Sequence, residues 1–332
     1  MTTPARELGA YRSASGFARR TGRGKRTAPE LRPVLDQSGA RRMAPGGISY
    51  GRLGSLDVRL CRRRSDVRLA QALRYDVFYR EMAAVPSALA RHRGRDEDRY
   101  DAVCDHLLVF DTAQSADAAR PQPSLRQRAE QVVGTYRVLR QDVARRRGGF
   151  YTQGEYDIQP LIAANPQLRF MELGRSCVRQ PYRTKRTVEL LWHALWGYAR
   201  QHRIDVMIGC ASFAGVDPAA HAMALSFLHH YRMAGPEWRV RAHDRHYQPM
   251  DLMPKDQIDV KAAVKALPPL IKAYLRLGAV IGDGAYVDRQ FGTIDVFICL
   301  PVSLIDPRYF AHFGAPDEAQ IKKPAAAVLV TT

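Results

Sequence analysis

The 332-residue sequence lacks the signatures of several protein classes. Its five cysteines lie far apart without a CxxC pair, which excludes a zinc ribbon and a disulfide-rich scaffold. No run approaches the ~18 apolar residues of a membrane-spanning helix, since the best candidate, residues 294–305, contains Asp295 and Pro301. The N-terminus has no apolar core typical of a secretory signal. We therefore expect a cytoplasmic protein, for which contact with the inner face of the cell membrane would be peripheral.

Metal-ligand spacing is also missing. The pairs His229/His230 and His243/His246 have no partners at a spacing typical of metal ligands. Cys177 stands in an apolar, strand-like segment, where a buried free thiol is more common than a nucleophile. The sequence therefore predicts no metal site, no bound cofactor and no cysteine nucleophile.

Positive charge is in excess. Lys and Arg number 51 against 33 Asp and Glu, which gives a net charge of +18. Such a surplus indicates an acidic partner, which could be nucleic acid, an anionic membrane or an acidic protein. We expect no nucleic acid, because no recognised motif interleaves basic and aromatic residues. A nucleic-acid-binding protein stays as an alternative that rests on the charge alone.

Part of this charge lies near the N-terminus. Residues 1–50 hold ten basic and three acidic residues with almost no apolar periodicity, which is typical of a disordered tail. A transit peptide or an over-extended start codon would give a similar composition. We therefore divide the chain into a disordered basic tail (1–55), one folded domain (56–314) and a loose C-terminal tail (315–332).

Strand and helix patterns alternate between the tails. Apolar runs predict strands at 56–61, 106–111, 132–140, 170–178 and 206–213, and a hairpin of 285–291 with 293–300. Helical spacing predicts helices from the N-cap Ser65 to 82, at 187–202, from Pro218 to 231 and at 267–277. Prolines and small polar residues predict a loop at 112–130. The alternation indicates an α/β or α+β protein built on one sheet.

The segment 171–218 carries the clearest functional signal. The strand FMELGRSCV ends in a basic turn that leads directly into the helix at 187–202. A helix N-terminus presents unpaired N–H groups and the positive end of its dipole, so this turn suits a phosphate group. A solvated basic turn is the alternative. The candidate phosphate-binding residues are Arg179, Tyr182, Arg183, Thr184, Lys185 and Arg186.

The order of these elements resembles the GNAT N-acyltransferase fold, a central mixed, mostly antiparallel sheet flanked by helices. GNAT proteins bind the acyl donor with a Q/R-x-x-G-x-G/A turn, whereas the corresponding run RTKRT has no glycine. The motifs MELGRSCV, YRTKRTVELLW and IGCASFAGVDP, with the block 267–302, resemble the L-ornithine Nα-acyltransferases over residues 56–314. The resemblance predicts a GNAT-type domain with a C-terminal extension.

This resemblance implies the first step of ornithine-lipid synthesis. A 3-hydroxyacyl chain would pass from acyl carrier protein to the α-amine of L-ornithine, which gives lyso-ornithine lipid. The phosphopantetheine-linked donor is then a substrate, and the acidic carrier protein and an anionic membrane would both attract the basic chain. The run ELGR is also similar to the E-x-x-R of acyl-homoserine lactone synthases. A synthase of that type, or another amino-acid N-acyltransferase, therefore remains an alternative.

The chemistry implied by the resemblance assigns roles on the strand at 170–178. Aminolysis of a thioester needs a neutral amine and a polarised carbonyl. Glu172 is the candidate general base, and backbone N–H groups around Ser176 and Cys177 are candidate oxyanion donors. The alternative for Glu172 is an ion pair with Arg175 or another cation that orients the strand.

Arg175 is the candidate for binding the ornithine carboxylate, because its planar guanidinium can form two hydrogen bonds at once. Glu172 lies three residues before Arg175, and on a regular strand the two side chains would face opposite sides. Both therefore reach one cleft only if a β-bulge lies between them.

Ionisable residues elsewhere in the sequence are further candidates for contact with the substrate. Asp105 and His106, at the start of a strand, could bind the δ-ammonium of ornithine, with a capped strand end as the alternative. Asp283 and Asp288 flank a glycine-rich turn, where turn formation is the simpler role and substrate contact the alternative.

Overall fold

The computed structural model describes residues 43–44, 47–82, 84–115 and 125–305. The predicted basic tail up to residue 42, the end of the predicted domain from residue 306 and the predicted C-terminal tail lie outside these residues. So does the middle of the predicted loop, at 116–124.

The described residues form twelve strands. These are β1 (Met43–Ala44), β2 (Gly47–Leu53), β3 (Leu56–Leu60), β4 (Asp105–Asp111), β5 (Val132–Arg140), β6 (Tyr156–Asp157), β7 (Phe170–Val178), β8 (Val206–Ala214), β9 (Arg241–Ala242), β10 (Tyr247–Gln248), β11 (Val280–Asp288) and β12 (Thr293–Pro301). They make one sheet in the order β1-β2-β3-β4-β5-β7-β8-β12-β11-β9-β6, with β10 paired to β11. The pairs β7–β8 and β9–β11 are parallel and the others antiparallel, so the predicted mixed, mostly antiparallel sheet is confirmed.

Nine α-helices accompany the sheet in the described residues. They are α1 (Arg64–Tyr75), α2 (Ala88–Arg93), α3 (Leu125–Gln131), α4 (Gln141–Ala144), α5 (Gln159–Ala164), α6 (Lys185–Gln201), α7 (Ala222–Arg232), α8 (Val260–Ala266) and α9 (Pro269–Leu277). A π-helical segment, Asp76–Glu81, continues α1. Helices α6 to α9 share one core cluster with the sheet, and α1 packs in a different cluster.

Strand β4 shows how the two faces of one sheet contribute to two different core clusters. Successive side chains of a strand point to opposite faces. Leu107 and Val109 belong to the cluster of α6, whereas Leu108 and Phe110 pack with α1. Because both faces are covered, the strand is almost continuously apolar rather than alternating.

The parallel pair β7–β8 separates part-way along its length. Its pairs are Phe170–Val206, Met171–Met207 and Glu172–Ile208, and the two strands then part. Beyond that point β7 stays paired with β5, and β8 stays paired with β12. A gap therefore opens in the middle of the sheet, between the second half of β7 and the second half of β8.

A β-bulge lies on β7 beside this gap. Thr135 pairs with Cys177 and Arg137 with Gly174, so β7 has one residue more than β5 between the two pairs. Arg175, in the bulge, has a φ of 49°, a left-handed conformation that non-glycine residues rarely adopt. The bulge that would bring Glu172 and Arg175 to one cleft is therefore present.

Most predicted elements are confirmed. The strands predicted at 132–140 and 170–178 have the bounds of β5 and β7, and the predicted hairpin is β11–β12. The long amphipathic helix is α6, which begins two residues early because Thr184 is its N-cap and accepts a hydrogen bond from the N–H of Thr187.

Three local predictions were wrong. Strand β2 includes residues assigned to the basic tail, because its backbone pairs with β3 and its Tyr50 and Leu53 are buried in the cluster of α6. The first helix is capped by Arg63 rather than Ser65, since the N–H of Arg63 donates to Asp66. Helix α3 occupies part of the predicted loop, and its Arg128 pairs with Asp66.

In the part of the chain that the structure describes, no helix combines the length and the apolar character needed to cross a membrane.

Replacing Gly209 tests how closely β7 and β8 approach at the point where they begin to part. A Cβ at this position would lie 2.3 Å from the carbonyl oxygen of Leu173, a backbone atom that cannot move aside alone. We expect Gly209→Ala to lower the free energy of unfolding by about 1–3 kcal/mol, measured by chemical denaturation. The control Gly174→Ala, across the gap, places its Cβ in open space and should change stability far less. Equal stability of the two variants would contradict the close contact.

Candidate active site

A cavity of about 490 Å³ occupies the gap between β7 and β8. Its lining includes residues 172–178 of β7 and 210–212 of β8. One wall is apolar, formed by Val188, Leu191 and Trp192 of α6 and by Pro268, Pro269, Leu270 and Tyr274. Another part of the lining is polar and acidic, with Thr152, Glu155, Glu172, Asp288, Thr293 and Asp295. The cavity can therefore hold a molecule, or two molecules, with an apolar part and a charged part.

Glu172 lines the cavity and anchors a loop. Its Oε2 accepts a hydrogen bond from the N–H of Tyr151 (2.8 Å), and its Oε1 accepts from the N–H (2.6 Å) and the hydroxyl of Thr152. Burial raises the pKa of Glu172, and these hydrogen bonds partly offset the rise. Within the described residues it forms no ion pair with Arg175, which contacts other carboxylates. Oε2 has a second lone pair that these contacts leave available.

The side chain of Arg175 is held between two aromatic rings. Its guanidinium carbon lies 4.7 Å from the ring centre of Tyr151 and 4.6 Å from that of Phe291. Its nitrogens lie 3.4 Å from Asp96 and 3.3 Å from Asp98. These contacts fix the cation at the cavity wall. Because Tyr151 belongs to the loop that Glu172 anchors, the glutamate also helps to position this arginine.

A buried network of charges lies behind Arg175. Arg74, which is fully buried, contacts Asp96 and Asp101, both at 2.7 Å. Arg137 contacts Asp98 at 2.7 Å and Asp101 at 3.2 Å. Burial alone would raise the pKa of Asp101, but Arg74 and Arg137 hold it well below its usual range. Three arginines, counting the one in the bulge, thus pair with three aspartates, and their charges balance.

Three further carboxylates that line the cavity pair with no basic side chain among the described residues. Glu155, Asp288 and Asp295 each place an oxygen within 4.8 Å of the others, and all three line the cavity. Oε2 of Glu155 and Oδ1 of Asp295 have no hydrogen-bond partner among the described residues. Burial, together with repulsion between the carboxylates, raises the pKa of Glu155 to about 8 and that of Asp295 to about 6. We call these three residues the acidic cluster.

The backbone of β7 offers hydrogen-bond donors to the gap. The N–H of Arg179 donates to Val133 on the β5 side. Because successive N–H groups of a regular strand point in opposite directions, that of Val178 faces the gap instead. Ser176 lies in the bulge, where this alternation is interrupted. Cys177 lines the cavity, but burial raises the pKa of its thiol to about 12, so it stays protonated at neutral pH.

Three of the six candidate phosphate-binding residues also support the turn itself. Arg179 donates to a backbone carbonyl at the start of β5 (3.1 Å) and pairs with Asp76. The hydroxyl of Tyr182 donates to Asp111 (2.7 Å). Thr184 caps α6. Their side chains are thus engaged in holding the turn at the N-terminus of α6.

The other three carry exposed positive charge. Arg183 lines the cavity, donates to the carbonyl of Val178 (2.8 Å) and contacts Glu81. Lys185 is exposed and pairs with Glu189 within the same helix (3.4 Å), and Arg186 is also exposed. This basic group therefore lies at the start of α6, where one member reaches the cavity.

Asp105 and His106 lie away from the cavity lining. Asp105 accepts hydrogen bonds from Tyr198 and from Arg140 (3.1 Å). His106 is buried, contacts the carbonyl of Asp101 (3.1 Å) and has its pKa lowered to about 4 by burial. Both side chains are already engaged, so their placement gives no support to the predicted contact with an ammonium group.

Sequence reasoning missed the acidic cluster as a unit. Asp288 was assigned to a turn, and it does accept hydrogen bonds there from the N–H groups of Gln290 and Phe291. Asp295 had a usable signal, as a carboxylate in the middle of an apolar strand. Glu155 had none, since only the fold brings residue 155 beside the β11–β12 hairpin.

The prediction of no metal rested on spacing along the chain. Within the part of the chain that the structure describes, two groups place possible ligand atoms within 4.8 Å of one another: the acidic cluster, and His229 with His230 and Asp251. In the second group, His230 already contacts Asp251 at 2.9 Å.

Comparison with known proteins agrees with the predicted family. Residues 73–193 match the family described as "Acetyltransferase (GNAT) domain". The chain is 53% identical over 268 residues to "L-ornithine N(alpha)-acyltransferase" of Brucella abortus (strain 2308), covering 81% of this chain and 92% of that protein. It is 52% identical over 283 residues to the protein of the same name from Rhizobium meliloti (strain 1021), covering 85% and 92%. The chain belongs to the L-ornithine N(alpha)-acyltransferase family.

Membership of this family, with its GNAT domain, confirms the predicted fold class and acyltransferase activity. Among solved structures, the chain is similar to that of FeeM, an N-acyl amino acid synthase from uncultured soil microbes. The identity is 9% and the TM-score 0.42, over 77% of this chain and 95% of that chain.

The pKa of Glu155 leads to a prediction about stability. Its pKa is about 8 in the folded protein and about 4.5 when exposed, so the folded state holds a proton that the unfolded state has lost between these values. Stability should therefore fall as pH rises from about 5 to 8. Glu155→Gln removes the contribution of Glu155, while Asp295 keeps its own, and should raise Tm at pH 8 by about 2–6 °C, the equivalent of about 1–3 kcal/mol. Thermal unfolding of both proteins at pH 5.5 and 8 measures it. A pH-independent difference in Tm would contradict the raised pKa.

Proposed function

We propose that the protein is an L-ornithine Nα-acyltransferase that takes a 3-hydroxyacyl chain from acyl carrier protein and gives lyso-ornithine lipid. The observation that carries this proposal is the family relationship, which extends over 92% of the length of the relatives named above. The cavity supports it independently. An acidic part suits a diamino acid, and the adjoining apolar wall suits an acyl chain.

The donor would enter from the start of α6. The N–H groups and the dipole of this 17-residue helix favour an anion at Lys185, and Arg183 connects that end to the cavity. The single phosphate of phosphopantetheine would bind here, with its arm along the gap and its acyl chain against Leu191 and Trp192. Glycines in such a turn let the backbone approach the pyrophosphate of coenzyme A closely. The single phosphate of a carrier-bound arm needs less of this contact, so a turn without glycine suits it.

The reaction needs no covalent enzyme intermediate. The neutral α-amine attacks the thioester carbonyl, a C–N bond forms and the C–S bond breaks. Glu172 takes the proton that the amine loses, directly or through water, using the second lone pair of Oε2. The departing thiolate of the donor takes up a proton and leaves as the thiol. The N–H groups of Ser176 and Val178 would stabilise the oxyanion, a contribution of about 3 kcal/mol for each donor.

Arg175 would bind the carboxylate of ornithine. Arg175 lines the cavity, and its guanidinium is held between two aromatic rings and paired with Asp96 and Asp98, so an anion would meet an N–H group that is already fixed in place. A carboxylate bound there would hold the α-carbon near Glu172, since both residues line the cavity from β7. Preorganisation of this kind lowers the entropic cost of bringing the amine to the thioester.

Two partners follow from the charge. Acyl carrier protein is acidic, and the basic group at Arg183, Lys185 and Arg186 is the surface we assign to it. The product is a lipid, so peripheral contact with an anionic membrane would receive it, favoured by the net charge of +18.

One assay tests the proposal. Purified protein is incubated with ornithine and either 3-hydroxyacyl carrier protein or the matching acyl-coenzyme A, and thiol release and product mass are followed together. We expect N-acyl-ornithine that depends on the carrier protein. Thiol release with another amino acid consumed would mean a different acceptor, and release of a diffusible lactone would favour a homoserine-lactone-type synthase.

Glu172→Gln tests the general base. Turnover should fall about 10²–10⁴-fold while the KM for ornithine changes little, because the amide cannot take a proton. In the wild type, kcat/KM should rise with pH as Glu172 loses its proton, and this rise should be absent in Glu172→Gln. Unchanged turnover would remove Glu172 as the base. A fall in Tm with loss of donor binding would show that its role is to anchor Tyr151 and Thr152.

Charge reversal tests the carrier-protein surface. Arg183→Glu with Lys185→Glu should weaken carrier-protein binding by about tenfold or more at low salt, with a smaller effect at high salt. The matched control is Arg145→Glu with Arg147→Glu, which makes the same change in net charge at an exposed site outside the cavity lining. Equal affinities of the two double variants at low salt would contradict this placement.

A further inference from the structure

We propose that the acidic cluster, Glu155, Asp288 and Asp295, is the site that binds the δ-ammonium group of the acceptor. This inference rests on the proposed function, which supplies a diamino acid as the acceptor. Such a site would select acceptors whose side chain carries a positive charge over amino acids whose side chain is uncharged.

The carboxylates are arranged for a cationic ligand. Glu155 and Asp295 line the cavity and are only 5% and 6% exposed, and each has a buried side-chain oxygen without a hydrogen-bond partner among the described residues. A buried polar atom left without a partner is costly, so native structures rarely keep one unless a ligand or water completes it. A primary ammonium group has three N–H donors, which matches three carboxylates whose oxygens lie within 4.8 Å of one another.

The local charge is also incomplete. Within the described residues, none of the three carboxylates forms an ion pair with a basic side chain. Arg175 lies near enough to influence Glu155 and Asp295, but its contacts are with Asp96 and Asp98. The buried network on the β7 side is therefore neutral, whereas the cluster lacks a cation. A ligand ammonium supplies that charge.

The position of the cluster agrees with acylation at the α-amine. Asp295 of β12 pairs in register with Ser212 of β8, so it lies one strand beyond the edge of the gap. Arg175 and Glu172 lie across the gap, on β7. An amino acid that spans the cavity with its δ-ammonium at the cluster would direct its α-carboxylate and α-amine towards β7, where we place the thioester.

A divalent metal ion is the competing ligand for three carboxylates. Magnesium prefers six oxygen ligands in octahedral geometry, and calcium six to eight. Apart from these carboxylates, the nearby polar lining offers chiefly the hydroxyls of Ser212 and Thr293. An ammonium group needs only hydrogen-bond acceptors for its three N–H donors, which the carboxylates provide, and the test below separates the two ligands.

The experiment compares ornithine with norvaline, which has the same carbon chain without the δ-ammonium group. We expect wild-type kcat/KM to favour ornithine by roughly 10²-fold or more, because norvaline would leave the buried carboxylates unpaired. Glu155→Gln, Asp288→Asn and Asp295→Asn should each lower this ratio about tenfold or more through a loss with ornithine, not norvaline. These variants remove repulsion between carboxylates, so they should fold.

The control is Asp283→Asn, which removes a carboxylate of the same strand as Asp288 that pairs with Arg241 outside the cavity lining. Its ratio should equal that of the wild type. Unchanged ratios in all three cluster variants, with ornithine still acylated, would overturn the inference and leave the proposed function intact. The inference would also be overturned if activity required Mg²⁺, Mn²⁺ or Ca²⁺, so that EDTA abolished it, and if the cluster variants no longer showed this requirement.

Calorimetry separates failure of the proposed function from failure of the site. If no amino acid is acylated, the proposed function fails, and 1,4-diaminobutane is then titrated into the full-length protein. Binding that weakens about tenfold in Asp295→Asn but not in Asp283→Asn would retain an ammonium site. Equal or no binding would overturn that site as well.

Discussion

The separation of β7 from β8 after Glu172 and Ile208 is the constraint on which the site depends. While the strands are paired, their backbones satisfy each other and leave no room for a ligand. Once they part, the N–H group of Val178 faces an open gap, and residues of both strands line one cavity. The bulge at Arg175 then turns that side chain towards the cavity that Glu172 also reaches.

The charged residues on the two sides of this gap differ in how they are paired. On the β7 side, Arg74 and its neighbours form a buried network in which each charge has a partner, and this network stabilises the wall that carries Arg175. On the β12 side, the acidic cluster has buried oxygens without a hydrogen-bond partner among the described residues. The charges on the β7 side thus balance without a ligand, whereas a cationic ligand would supply the charge that the cluster lacks. An amino acid with two amines fits between them.

Much of the fold could be predicted from sequence because local patterns matched the final elements. Strands β5 and β7 are buried apolar runs between clear breaks, and α6 has a strong apolar face. Strand β2 was missed because it contains two glycines, and contacts with β3 and α6, distant along the chain, hold it in place. The family motif drew attention to Glu172 and Arg175, and their spacing meant that both could face one cleft only with a bulge between them. Glu155 could not be found, since nothing in its neighbours along the chain predicts contact with a distant hairpin.

The position of the new amide bond tests the central claim most directly. Product formed from ornithine labelled with ¹⁵N at one nitrogen at a time, analysed by NMR and tandem mass spectrometry, distinguishes the α-amide from the δ-amide. If the gap holds the thioester beside Glu172 while the acidic cluster retains the δ-ammonium, the product is the α-amide alone. A δ-amide, or a mixture of the two, would contradict this account.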